Sequence, residues 1–458
     1  MKDRVRDAVK SSRADYTEIR IERSWSSTVA LRGDLLEGAT AAVDEGGCVR
    51  CLTMGHGWGV VSFTSLDQLR DMVVRAHDLS LAVTLDDPIP WASVPVREAD
   101  VVMDLDGDFR GVPLDAKHAH AARLNEIMMD CDRRIVSTKV AYRDEVIETW
   151  YANSEGTSFH TLRPEFTISA AAVAREHGTE ERVLASIGRR RGWDTAQGHD
   201  GLFRDAAERA VRLLGVDWVS EGEYPVILDP GLAGIMAHEA IGHLLEADAR
   251  LDQTGQAGLL TQGRTVGPES LTVGDDGSAP GLRGSLPFDD EGTPTGNTTL
   301  IQNGVVVGRL HSRETAARFD ELPTGNARAV SYRYPPIVRL TNTYLSPGED
   351  SLEDLLAGVE LGVYAADAVS GWTRSGRFGF TAGRGRMIRH GELAEEVKDV
   401  TISGGLLETL GRLDGIAGDF RWNESGGGCD KRGQGPLPVS DGAPHIRVAS
   451  LTVGRSAP

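Results

Sequence analysis

Residues 236–248, MAHEAIGHLLEAD, set His238 and His243 five positions apart, with Glu239 directly after the first histidine. Imidazole is a good zinc ligand, and a carboxylate beside a metal site can take a proton from water. The familiar helical pair is spaced by four, which returns the second ring to nearly the same face. Five residues on a straight α-helix turn through about 500°, leaving the two side chains about 140° apart around the axis. Such a pair converges on one ion only if the helix takes up one extra residue, and a π-turn does this because its hydrogen bonds run five residues. Gly242, just before His243, offers local backbone freedom. The spacing therefore predicts a distorted helix, whereas two unrelated helical histidines would need no distortion.

Two histidines require a third ligand. Glu246, three residues after His243, is one candidate and Asp248 a weaker one. Cys429 in SGGGCDKRGQGPLPVSDG is another, since thiolate binds zinc strongly and the glycines allow close backbone approach. A set of two histidines and one cysteine leaves a fourth position for water. Taken alone, Cys429 reads more simply as a small buried hydrophobe, so the alternatives remain open at this point.

The elements that must position these residues come in three stretches. YTEIRIERSWSSTVALRG and CVRCLTMGHGWGVVSFTS alternate apolar and polar residues as half-buried strands do. Ser65 and Gln68 have capping-box spacing ahead of a helix that lines up Leu66, Leu69, Met72, Val73 and Ala76. LDDPIPWASVPVREAD, with three prolines, reads as a connector. A helix over about 114–131 follows, then three or four strands broken by the turn NSEG, and a closing helix, LFRDAAERAVRLLG. After Tyr224 comes a short apolar strand, then Asp229-Pro230, a helix start with Asp as N-cap and Pro at the first position. The two histidines lie on that helix. A Gly/Pro/Asp-rich passage runs on to about residue 296, and hairpin turns are expected at Asn303-Gly304 and His390-Gly391. Ser351 and Asp354 are placed to cap a short helix.

These segments predict an α+β protein. Its N-terminal part should hold helices on mainly antiparallel sheet, as subdomains over 1–90 and 110–216. A strand-rich domain over 222–458 should carry the metal-binding helix. At 458 residues the chain exceeds what one core normally supports. The net charge of −19 disfavours direct binding to nucleic acid. The chain shows no apolar run long enough to span a membrane and no signal-peptide pattern at its start, and its four cysteines form no disulfide framework, so a cytoplasmic setting is expected. Cys48 and Cys51 make a C-x-x-C that reads as an idle strand pair. Tyr332, Arg333 and His445 read as structural or surface residues.

VILDPGLAGIMAHEAIGHLLEAD, FDDEGTPTGNTTLIQNGVVVGRL, PPIVRLTNTYLSPGEDSLEDLLAGVELGVY and GGGCDKRGQG together resemble the TldD/PmbA family of cytoplasmic zinc metallopeptidases, once described as modulators of DNA gyrase. The resemblance is dense from Tyr224 onward and collinear before it. It implies that His238, His243 and Cys429 hold one Zn2+ per chain and that Glu239 is the catalytic glutamate. It also implies short or unfolded peptide substrates. Family members work as paired subunits, only one keeping the metal motif. This chain resembles that TldD-type subunit, so a homodimer, or a heterodimer with an inactive TldE/PmbA-type paralogue, is expected. Two competing readings are a zinc amidase or deacylase acting on a small biosynthetic intermediate, and a non-catalytic modulator subunit.

Overall fold

The structure, a computed structural model, describes residues 1–251, 258–374 and 376–455. It is an α+β protein. Part of the Gly/Pro/Asp-rich passage, residues 252–257, lies outside the described residues.

The N-terminal half is built on a seven-stranded sheet. Its strands are β1 (Tyr16–Arg32), β2 (Leu35–Leu52), β3 (Trp58–Phe63), β4 (Glu98–Val102), β5 (Ile135–Asn153), β6 (Ser158–Glu176) and β7 (Thr179–Arg189). They run in the order β3-β2-β1-β5-β6-β4, with β7 also on β6; only the β4–β6 pairing is parallel. Alternation gives the sheet two unlike faces. On β1, Ile19, Ile21, Val29 and Leu31 point to one face and pack under helices Lys2–Val9, Leu69–Ser80, Leu114–Met129 and Asp200–Leu213. Glu18, Arg20 and Glu22 point the other way, into the C-terminal half, where Arg20 pairs with Asp290 and Glu22 accepts from the Tyr332 amide.

Several local expectations change in this half. The 135–153 and 158–176 segments are two long strands rather than three or four short ones, and Pro164 is accommodated within β6 opposite Val146. Ser65 makes no capping hydrogen bond; a 3₁₀ turn, Leu66–Gln68, leads into the helix instead. The proline-rich connector is anchored, since Trp91 packs against Tyr16 and Trp58. Cys48 and Cys51 are free and buried on β2. Among the described residues no helix is long and apolar enough to cross a membrane.

The C-terminal half holds two larger sheets. In the first, strands Leu361–Arg374, Gly222–Leu228, Ile446–Gly454, Thr401–Gly405 and Arg377–Arg389 pair in sequence, and the last pairs back to the first, closing a ring. The second is six-stranded and contains Asn342–Leu345 and Ser440–Ala443 as a parallel pair. The expected hairpin turns form, with Asn303, Gly304, His390 and Gly391 all at positive φ, as tight two-residue turns require. Ser351 and Asp354 make a complete capping box. The helix that begins at Pro230 lies between the two sheets, and Leu232, Met236, Ile241 and Leu245 are fully buried in the main core.

Candidate metal centre

Asp229 starts the helix as the sequence suggests: its carboxylate accepts from the Leu232 amide at 2.8 Å, and Pro230 occupies the first turn. The α-helix runs over Pro230–Met236, becomes a π-helix over Ala237–Ile241 and tightens to 3₁₀ over Gly242–Leu245. This is the extra residue that a five-residue spacing needs. The role expected for Gly242 changes, however. Its φ of −55° suits any residue, but a Cβ there would lie 2.7 Å from Leu340 Cδ2. Close packing, not backbone freedom, requires the glycine.

With the helix bulged, the imidazoles of His238 and His243 converge, their ring centroids 5.0 Å apart and their planes nearly perpendicular. Cys429 comes from a separate two-stranded hairpin, Cys429–Lys431 with Gln434–Leu437. Its Sγ lies 3.2 Å from His243 Nε2, and one donor atom from each of the three residues falls within 4.8 Å of the others. His238 and Cys429 are buried, whereas the His243 side chain is 21% exposed and marks the open side. Glu239 is half-buried on the π-turn, close enough to act electrostatically on His238.

Glu246 is not grouped with the three. Its Oε2 accepts from His243 Nδ1 at 2.9 Å and from Lys431 Nζ at 3.0 Å. It thus orients the imidazole from behind and leaves Nε2 turned toward the thiol. Asp248 binds the same Lys431 at 2.7 Å. Lys431 therefore ties the cysteine hairpin to the end of the histidine helix, and the buried Arg339 holds the hairpin by donating to the Cys429 and Gln434 carbonyls, each at 2.7 Å.

The charges suit a cation. Burial alone would raise the Cys429 thiol, but hydrogen bonds from His238 and His243 outweigh it and bring the group down to about 5. Burial opposes ionisation of Glu246 as well, yet His243 and Lys431 draw it down to about 2. His238 Nδ1 is buried and has no hydrogen-bond partner among the described residues. A buried polar nitrogen left without a partner is a costly arrangement. Two nitrogens and a sulfur are a zinc-type donor set, so the residues present fit that metal.

Sequence reasoning missed Asp441, Lys431 and Arg339. Asp441 is buried on the strand beside the helix, and a Cβ at Gly234 would lie 2.4 Å from its Oδ1. Burial pushes its carboxyl up to about 7, with Glu239 and Asp229 adding to the rise against His238. The SDG of PVSDGAPH offered only turn-like chemistry, and Lys431 could have been suspected from its place two residues after Cys429. His445 is buried between Asp419 (2.6 Å) and the Tyr364 hydroxyl (3.0 Å). Tyr332 and Arg333 both bind Asp44 on β2 and so join the two halves.

Comparison with known proteins points the same way. Family profiles match residues 17–80 (PmbA/TldA metallopeptidase domain 1), 107–214 (central domain) and 221–455 (C-terminal domain). A metalloprotease of Synechocystis sp. is 40% identical over 446 residues, covering 97% of this chain and 96% of the relative. A zinc metalloprotease TldD homologue of Saccharolobus solfataricus is 30% identical, covering 96% of this chain and 97% of the relative. Among solved structures, a protein of Thermotoga maritima described as a candidate modulator of a DNA gyrase superposes with a TM-score of 0.78 at 24% identity, with 96% of each chain covered. TldE from Thermococcus kodakarensis gives 0.76 at 18% identity, with 99% of each chain covered. Both share the fold.

Proposed function

This chain belongs to the PmbA/TldD metallopeptidase family, and within that activity we propose that it is a zinc enzyme hydrolysing short or unfolded peptides, with His238, His243 and Cys429 as the metal ligands and Glu239 as the general base. The observation that carries the reading is the π-turn, which brings two histidines five residues apart onto one thiol.

Bound zinc would supply Lewis-acid activation of water and of the scissile carbonyl. The chain's own residues do the rest. Glu239 takes a proton from the attacking water at its carboxylate and returns it to the leaving amine. Glu246 fixes the His243 tautomer through Nδ1, and Lys431 keeps Glu246 ionised. Burial of His238 and Cys429 limits competing water on the closed side, so charge developed during attack is poorly screened. An extended peptide suits the strand-rich surroundings, because backbone hydrogen bonds can be made with little regard to sequence. Assembly with a second copy or with an inactive TldE/PmbA-type paralogue belongs to the same proposal and is read directly from the mass in solution, alone and with such a paralogue.

The test is turnover of a disordered peptide pool. The wild-type chain should cleave it, while Glu239→Gln should retain metal and lose at least about a hundredfold in rate. Full activity in Glu239→Gln would end the assignment of the base.

A further inference from the structure

Between the polar face of the seven-stranded sheet and the C-terminal half lies a cavity of about 460 Å3. Its floor consists of side chains that the register of β1, β5 and β6 places on one face, and its roof includes Arg328 and residues 435–438. Leu437, in that roof, is the register partner of Cys429. The cavity wall is therefore one strand spacing, about 5 Å, from the backbone of the thiol.

Arg163, Arg190 and Arg328 line this space. Arg328 is 2% exposed; it donates to the Leu340 and Pro438 carbonyls at 2.6 and 2.7 Å, and its buried Nε has no partner. Arg190 is 4% exposed; it donates to the Ser285 and Arg283 carbonyls, reaches Glu165 only at 3.5 Å, and also has an unpartnered Nε. Arg163 makes one long hydrogen bond, to Thr149 Oγ1 at 3.4 Å. Among the described residues no carboxylate lies within ion-pair distance of Arg163 or Arg328. Of the lining acids, Asp44 pairs with Arg333, Asp290 and Glu22 with Arg20, and Glu145 with Arg143, while Glu165 is shared between Arg283 and Arg190. The cations also disfavour one another. Burial, only partly opposed by Glu165, brings Arg190 down to about 9, and Arg163 and Arg328 contribute to the fall. Buried guanidiniums short of counter-charge are costly unless an anion joins them.

On the peptidase reading above, we propose that Arg163, Arg190 and Arg328 form a carboxylate subsite that holds a free C-terminal or acidic side-chain carboxylate of the substrate peptide beside the metal centre. Arg163 presents a guanidinium fork that matches a carboxylate in two parallel hydrogen bonds, which a neutral amide cannot reproduce, while Arg190 and Arg328, whose terminal nitrogens already donate to backbone carbonyls, add positive charge beside it. Leu437, paired with Cys429, sets the subsite against the hairpin that carries the thiol.

Binding is measured by fluorescence anisotropy on the full-length Glu239→Gln chain, so that peptide is not consumed. Three probes share one disordered sequence without Asp or Glu: the free acid, the C-terminal amide, and the amide with a single internal Glu. The free acid, the internal-Glu amide or both should bind about tenfold more tightly than the plain amide. Which probe gains identifies the source of the carboxylate. The advantage should collapse toward unity in Arg163→Gln and return in part in Arg163→Lys. Arg328→Gln gives the same reading should Arg163→Gln fold poorly. Equal affinity for all three probes, no binding of any, or an advantage that survives both substitutions overturns the subsite. Wild-type hydrolysis of the amide is scored separately: its absence counts against the peptidase reading, and its presence leaves that reading standing whatever the subsite does.

Discussion

His243 is gripped from two sides, by the Cys429 thiol on Nε2 and the Glu246 carboxylate on Nδ1. A carboxylate behind a ligating imidazole sets its tautomer and raises its basicity, and losing such a partner typically weakens metal binding by about 10–100-fold. Glu246→Gln should therefore lower zinc affinity by about that factor in chelator competition while the purified protein still folds; an unchanged affinity would mean that the contact is only structural. The residue types of this site are visible in the sequence as H-E-x-x-x-H with a distant cysteine. The division of labour between Glu246 and Cys429 is not, because both are plausible donors and only their three-dimensional placement separates a ligand from its support. Asp441 was hidden for a similar reason: a carboxylate in a turn-like SDG gives no sign that it is buried beside Glu239.

At the scale of elements, the π-turn follows from the spacing once the two histidines share an ion, since no straight helix brings positions five apart to one point. What keeps the bulge in place is tertiary. Leu340, fully buried, occupies the space where a side chain at 242 would begin. Gly242→Ala must push Leu340 or the turn aside, and overpacking of this kind costs about 1–3 kcal/mol. The variant should melt several degrees lower and bind zinc more weakly; wild-type melting and affinity would show that the turn tolerates the methyl group. The cysteine hairpin lay beyond sequence reasoning, because its docking depends on Arg339 and Lys431 reaching across from elements far apart in the chain. The strands were recognised by alternation, but not their length, since β6 runs straight through Pro164.

For the whole molecule, the two halves are joined by buried polar contacts as well as by the stacking of Phe288 on Phe159. Arg313, completely buried, donates to both oxygens of Glu155 at 2.7 and 2.6 Å, to Tyr16 and to the Ala92 carbonyl, and it lies over the Trp91 ring. Arg313→Ala strands these acceptors and should cost about 3 kcal/mol, seen as a lower midpoint in denaturant. A shift within error would show that the junction is held by other contacts. That the first sheet has an apolar and a polar face was legible in its alternation. That the polar face would meet the metal-bearing half, and enclose a cavity there, was not, because alternation identifies a face without saying what covers it.

The central claim is that a bulged helix and a remote hairpin build one metal site. Zinc analysis of the purified chain beside its Cys429→Ala variant tests it most directly. The account predicts about one zinc per chain in the wild type and almost none in the variant. A wild-type chain that binds no zinc, or a Cys429→Ala chain that keeps a full equivalent, would contradict it.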